Sequence, residues 1–360
     1  TVFVLNTGQW IYFDGATTTL DANAGGYFQQ TSLPTDSKAL QQDNYDASTA
    51  GITGFSWIKN RDAADNHVLQ NRVSGVGKYL ESNSAIVETT NTNSVQRFLQ
   101  QGVQIGNMDA VNTDGESYVL WQWAANGTGT TNSDGSGADV TVSANATAGF
   151  SIVRYTGTGA IGTVQHGLGK KPFWMLGKRL ESDDNWSMYH ESKGATHRWK
   201  INEAGAAQDT DSIFNDTEPT SSVFTLKTNN EINGDAETYL MYCWAPIKGF
   251  SSFGIIRGNG SENGPRIYTG FRPGWIMYKE DEAQGGYGIW NVKTSPNNPM
   301  RKRLLANNNS ILDESDDNAI DILSNGFKLR TDSGGFNQDG RDMVYMAFAE
   351  HPFVTSGGVP

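Results

Sequence analysis

Short runs of apolar residues, some alternating with polar ones and some continuous, recur along this chain between clusters of Gly, Asn, Asp, Thr and Ser. Runs of strand length bounded by turn residues predict β-strands. The most apolar is Thr238–Ile247, TYLMYCWAPI, which also holds the single cysteine. Helical periodicity is confined to two short candidates, near Asp62–Asp65 and Lys302–Asn307. The predicted class is all-β.

The apolar runs are copies of one another, the signature of a repeat architecture. FSWIK (Phe55–Lys59) matches WMLGK (Trp174–Lys178) and WIMYK (Trp275–Lys279), at offsets of 119 and 101 residues. HVLQN from His67, WSMYH from Trp186 and YGIWN from Tyr287 keep the same offsets. Further on, GVQI (Gly102–Ile105) matches VFTL (Val223–Leu226) and GFKL (Gly326–Leu329). Each is followed by an Asn/Asp/Gly cluster and then a final run: YVLWQWA from Tyr118, YLMYCWA from Tyr239, MVYMAFA from Met343. Those clusters tolerate positive φ, so each repeat is predicted to end in an antiparallel hairpin. The final strand, apolar on both faces, should be covered on both sides. Repeats 2 and 3 also share an opening: FSIVRYTGTG from Phe150 resembles FGIIRGNGS from Phe253, and HGLGKKPFW resembles YTGFRPGWI. Repeat 1 lacks it; the segment Thr1–Leu40 either replaces it or forms a separate arm for attachment or oligomerisation.

The resulting layout is an N-terminal segment (1–40), repeat 1 (41–126), a polar linker (127–148), repeat 2 (149–248), repeat 3 (249–354) and a tail (355–360). Each repeat is predicted to be an antiparallel β-sandwich of about 100 residues, so that the chain is a tandem of sandwiches with short hairpin turns.

Composition narrows the function classes. The net charge of -12 disfavours phosphate backbones, which excludes nucleic acid as a partner. No apolar run is long enough to span a bilayer as a helix, so membrane insertion is not expected, and TVFVLNTGQW lacks a signal-peptide pattern. The first residue is Thr rather than Met, as expected of a processed or trimmed start. One cysteine excludes an intrachain disulfide.

Candidate chemistry is sparse. Cys243 aligns with Gln122 and Ala347, so it reads as strand packing rather than as a nucleophile. His67 aligns with Trp186 and Tyr287 and reads as packing; His190 and His197 lack a metal-ligand spacing, and neither His166 nor His351 joins a motif. DESDDN (Asp313–Asn318) and NSDGSGAD (Asn132–Asp139) fit a calcium loop poorly and read as solvated loops. GTGAIG (Gly157–Gly162) and GNGSENG (Gly258–Gly264) lack the lysine and helix of a phosphate loop and read as hairpin turns. Lys59, Lys178 and Lys279 read as solvated strand ends. Trp186, Trp199 and Trp290 are the candidates for glycan or partner contact, with core packing as the alternative. No paired acids, nucleophile elbow, cofactor motif or metal set stands out, and an enzyme is not expected.

Several stretches together resemble a repeat of virion structural proteins in tailed phages, marine ones especially. They include AGFSIVRYTGTGAIGTVQHGLGKKP, TSSVFTLKTNNEINGDAETYLMYCWA, GNGSENGPRIYTGFRPGWIMYK and LSNGFKLR with MAFAEHPF, and they span Gly51 to Val354. His351 stands where that family usually has Asn. The resemblance implies a non-enzymatic bacteriophage virion structural protein, of tail-fibre or capsid-decoration type, on the outside of the particle. Its implied partners are other virion proteins, further copies of itself (a trimer, as in fibres) and a host-surface glycan. A carbohydrate-binding, lectin-like protein is the alternative.

Overall fold

The computed structural model describes residues 2–4, 10–11 and 26–27 as backbone. It describes residues 53–99, 102–132, 135–281 and 285–352 with side chains, save that of residue 138. The protein is all-β. Among the described residues the helices are single turns, Asp109–Asn112, Asn230–Asn233 and a 3-10 turn at Asp316–Asn318. Neither sequence-predicted helix forms: 62–65 is irregular, and Lys302–Leu305 is a strand.

Each repeat has two layers. In repeat 2 the main sheet runs in the order Phe150–Thr156 (opening strand), Thr238–Trp244 (closing strand), Trp174–Arg179 (aromatic strand), Ser187–His190. Repeat 3 has the same order: Ser251–Arg257, Asp342–Ala349, Pro273–Glu280, Gly288–Asn291. The outer layer pairs Gly162–Gln165 with Val223–Leu226, and Arg266–Tyr268 with Gly326–Leu329. In repeat 1 the N-terminal segment supplies what the repeat lacks. Val2–Val4 lies beside the closing strand Tyr118–Ala124, though parallel to it, and Gly26–Tyr27 pairs with Gly102–Ile105. These strands occupy the opening positions of the sister repeats; the rest of 1–40, and the tail, lie outside the described residues.

The predicted terminal hairpins do not form. The two strands flanking each Asn/Asp/Gly cluster belong to different sheets, so the cluster carries the chain from the outer layer to the main one. In repeats 1 and 2 the crossover contains the helical turn, and the first residue of the repeated closing run ties it down. Tyr118 Oη donates to Asp109 O (2.7 Å) and accepts from Thr113 N (2.8 Å). Tyr239 Oη does the same with Asn230 O (2.6 Å) and Gly234 N (2.7 Å). GTGAIG and GNGSENG are likewise crossovers between layers, not hairpins. The stretch 127–148 is no linker: Ala138–Asn145 pairs along the opening strand of repeat 2, with Thr130–Thr131 outside it. The hydrogen-bond register also places Phe150 opposite Trp244 and Ser251 opposite Phe348, so Phe150 corresponds to Ser251 rather than Phe253.

Apolar burial occurs on both faces of the main sheets, which explains why the closing strands are apolar throughout. One face of each packs on its own outer layer: Val103, Val111 and Leu120 in repeat 1; Phe224, Ile232 and Met241 in repeat 2; Phe327, Ile256 and Met343 in repeat 3. The opposite faces of all three sheets meet in a single fourth core. At its centre Trp123 packs against Trp244 (ring centroids 5.9 Å) and Phe348 (5.7 Å), which are the equivalent residues of the other repeats. The three repeats therefore close on one another rather than standing as a string.

Candidate functional site

The seams between repeats hold the most ordered polar chemistry of the fold, and they repeat with threefold cyclic order. The aligned residues His67, Trp186 and Tyr287 each reach one carbonyl of a neighbouring repeat. His67 Nε2 lies 3.0 Å from Leu305 O, Trp186 Nε1 donates to Glu81 O at 2.9 Å, and Tyr287 Oη donates to Lys200 O at 3.2 Å. Leu305, Glu81 and Lys200 occupy equivalent positions, each following a residue that pairs with the strand after the aromatic strand. Repeat 1 thus binds repeat 3, repeat 3 binds repeat 2, and repeat 2 binds repeat 1. Three backbone bonds close the ring again: Glu88 N to Leu180 O (2.9 Å), Ala207 N to Asp281 O (2.9 Å), Leu312 N to Arg61 O (2.9 Å).

A second repeated residue fixes the ring-bearing position. The side-chain oxygens of Asn83, Asn202 and Asn307 accept the backbone N–H of His67, Trp186 and Tyr287, at 3.0, 3.0 and 2.9 Å. The sequence signal for these asparagines is the 119-residue offset from 83 to 202. It fails at 307 because four additional residues lie between Asn291 and Leu304, compared with His190 to Trp199 in repeat 2. Removing such an acceptor strands a buried N–H. Asn202→Ala is expected to cost about 1–3 kcal/mol, read as a shifted urea midpoint; an unmoved midpoint would show that water replaces the amide.

The lysines predicted as solvated strand ends are buried instead. Lys59, Lys178 and Lys279 have no exposed surface. Each ammonium turns back on the loop that follows: Lys59 donates to Asn60 O and Ala63 O, Lys178 to Arg179 O (2.7 Å) and Ser182 O (3.1 Å), Lys279 to Glu280 O. Lys279 also stands over the ring of Tyr287, 5.6 Å from its centroid. Burial pulls all three down to about 8, against the attraction of neighbouring carboxylates such as Asp65, Asp184 and Glu280. They are loop clamps.

The other sequence candidates are mostly packing. Trp186, Trp199 and Trp290 are at most 2% exposed, so none presents a face to a sugar or partner. The stacking expectation for them is corrected: Trp186 and Trp199 lie in the shared core, and Trp290 lies against Tyr278 and Phe336 inside repeat 3. Cys243 is fully buried and burial pushes its thiol well up, so it is a poor nucleophile at neutral pH. Cys243→Ala should cost about 1–2 kcal/mol in thermal melts and leave function intact; loss of function in a folded variant would refute the packing role. In DESDDN the carboxylates meet neighbouring side chains. Asp313 accepts from Arg303 Nη2 (3.3 Å) and Asn318 Nδ2 (2.8 Å), Asp316 pairs with Arg301, and Glu314 faces Lys302 (3.6 Å). Part of NSDGSGAD lies outside the described residues. Among the described residues no group of three or more His, Cys, Asp or Glu could hold a metal, and no helix is long and apolar enough to cross a membrane.

Among the described residues a shallow, open cleft gathers polar side chains, and sequence reasoning missed it because they come from four separate segments. It opens in repeat 1, with a volume of about 490 Å³. Asp65, Glu81 and Asp109 bring carboxylates, Asn66, Asn91 and Asn93 bring amides, and Met108 gives an apolar patch. Asn66 Nδ2 donates to Glu81 Oε2 (2.7 Å) and Asn83 Nδ2 to Asn66 Oδ1 (2.8 Å), so the floor is preorganised. Burial raises the Glu81 carboxyl, opposed by the Asn66 bond. The carbonyl of the same residue accepts the Trp186 indole, which ties the cleft to the seam between repeats 1 and 2.

Comparison with known proteins gives one match. A family described as "Domain of unknown function (DUF7483)" covers residues 24–352. No curated protein and no solved structure matches the chain. The matched span runs from the N-terminal strand that completes repeat 1 to the end of repeat 3, and the chain belongs to that family.

Proposed function

We propose that the chain is a non-enzymatic structural protein of a tailed-phage virion, a tail-fibre or capsid-decoration component on the outside of the particle. The resemblance of its repeats brings in the virion. The observation that carries a structural role is the closed ring: three sandwiches share one core, and every seam is sealed by the same bonds. Such a body resists local opening without an intrachain disulfide, because no repeat can leave without exposing the aromatic faces of the other two. It also gives one chain a threefold outline, which suits an appendage set among other virion proteins. Mass spectrometry of purified particles, followed by labelling with antibodies against the chain, tests the proposal. Stoichiometric presence and surface labelling are expected; absence from washed particles would overturn it.

Carbohydrate binding is the second reading, and the cleft in repeat 1 favours it. Carboxylates and amides that both donate and accept, beside a small apolar patch, match the hydroxyls and ring faces of a glycan. A glycan array of host-type surface polysaccharides tests this reading, with Asn91→Ala and Asn93→Ala as controls. Binding that survives both substitutions, or no binding at all, would set the cleft aside.

A further inference from the structure

The three repeats differ at one edge. In repeat 2 the opening strand is covered by Ala138–Asn145, paired from Asn145 opposite Phe150 to Ala138 opposite Thr156. In repeat 1 the equivalent Val2–Val4 is flanked by Trp10–Ile11. In repeat 3 the opening strand Ser251–Arg257 is the edge of its sheet, with no strand outside it among the described residues. Its neighbour in the outer layer, Arg266–Tyr268, is also an edge. Ile255 is 43% and Tyr268 70% exposed, whereas Gln165, the counterpart of Tyr268, is buried.

The covering strand of repeat 2 shows what such an edge receives. Val140 and Val142 point into the sandwich core, with Ala144 packed against it. Backbone N–H groups of Ser136 and Gly137 bond Thr163 O at 3.1 and 3.0 Å, so the segment bridges both layers. Its seat is Gly167, a left-handed glycine whose Cβ would come within 2.9 Å of Val142 and 3.0 Å of Ala144. The outer-strand register makes Gly270 the counterpart of Gly167. Gly270 keeps the left-handed conformation, yet among the described residues a Cβ there would meet nothing closer than the Tyr268 ring at 3.9 Å. The other shared glycines keep the same surroundings in both repeats: Gly157 and Gly258 face equivalent carbonyls, and Gly159 and Gly260 face equivalent aspartates. Among the described residues the open space is thus confined to the place where the covering strand would lie.

We propose that the edge Ser251–Arg257 of repeat 3 accepts a β-strand from another protein, seated over Gly270 as Ala138–Asn145 is seated over Gly167. Unpaired backbone groups on an exposed edge are a template for such addition, with pockets at alternate residues giving selectivity. The fitting strand carries small β-branched or alanyl residues at alternate positions. It is also acidic. Arg257, Arg266 and Lys328 line this side; Arg257 pairs with Asp342 (3.3 Å), Asp321 is the cross-strand neighbour of Lys328, and the side chains of Arg266 and Lys328 bond to the neutral amides of Asn325 and Asn263. The charges of Arg266 and Lys328, met here by neutral amides, favour an acidic strand over a second copy of the same edge.

The test uses the full chain and a labelled peptide with the sequence of residues 137–145, GADVTVSAN. Saturable binding is expected, with new hydrogen-exchange protection at 251–257. A peptide carrying Val142→Lys should bind at least tenfold more weakly, and one carrying Thr141→Glu more tightly. The proposal falls if the peptide does not saturate, if the Val142→Lys peptide binds equally, or if protection appears at 150–156 instead. Concentration-dependent protection of 251–257 in the chain alone would assign the edge to a second copy and overturn the partner strand. Protection lost on removing residues 353–360 would assign it to the chain's own tail, with the same consequence.

Discussion

Trp123→Ala should destabilise the protein by about 5 kcal/mol, the upper end for a buried tryptophan, and loosen all three repeats together. The indole is 2% exposed and packs on rings from every repeat: Phe55 at 5.2 Å, Trp244 at 5.9 Å, Trp275 at 5.8 Å and Phe348 at 5.7 Å. Truncation opens a cavity bordered by three sheets, none of which can collapse into it without leaving its own outer layer. Trp123→Phe is the informative contrast. The indole N–H has no acceptor among the described residues, so no hydrogen bond is lost with it. Repeat 3 already carries Phe348 at the equivalent position, so Trp123→Phe keeps an aromatic ring there and should cost clearly less than Trp123→Ala. Urea titrations of both variants, followed by hydrogen exchange in each repeat, decide the matter. A Trp123→Ala protein that loses protection in repeat 1 alone would show that the shared core does not couple the repeats.

The internal repeats, the all-β class and the burial of the closing strands were legible because each rests on local periodicity. Trp174 and Trp275 lead strands in aligned positions and are buried, as a strand covered on both faces requires. What the sequence hid was how the strands are partnered. An Asn/Gly cluster marks a reversal of direction equally well for a hairpin and for a crossover between layers, so the predicted hairpins were wrong while the turns were right. The stretch 127–148 looks like a linker because Thr, Ser and Ala are poor in apolar surface. An edge strand needs apolar side chains on one face only, and Val140 and Val142 suffice.

Closure into a ring was invisible for a different reason. The residue that makes each seam differs chemically in every repeat: an imidazole at 67, an indole at 186, a phenol at 287. Their common property is one polar atom on a ring, able to reach a carbonyl while the ring fills the core. Alignment therefore places them together as aromatic filler, and only their partners reveal the bond. The lysines misled in the opposite sense. A lysine closing a strand normally leaves its ammonium in water, but here the following loop curls back and offers carbonyls, which the strand pattern does not encode. The tryptophans proposed for sugar stacking failed because the shared core gives the main sheets no free face.

Mild acid should destabilise the protein through three buried histidines. Burial lowers His67 to about 3, helped by the Lys59 charge, and lowers His166 and His190 to about 4. In each, one ring nitrogen meets a backbone carbonyl: Leu305, Thr220 and Tyr345 respectively. The unfolded chain takes up these protons near pH 6.5, whereas the folded chain resists until pH 3–4. The histidine contribution to stability is therefore complete above pH 6.5 and is lost as the pH drops towards the folded values. At pH 5 the loss is about 2 kcal/mol for each histidine, about 6 kcal/mol together, comparable with the whole stability of many domains. The lysines act with the same sign higher on the scale: held near 8 when folded, they make stability rise further between pH 8 and 10. Urea midpoints measured from pH 8 to pH 4.5 should fall steeply below pH 6. His190→Gln should remove about a third of that slope, since one of three equal contributions is lost. Resonances assigned to His67, His166 and His190 that titrate near 6.5 in the folded protein would refute the account, because groups with the same pKa in both states contribute no pH dependence.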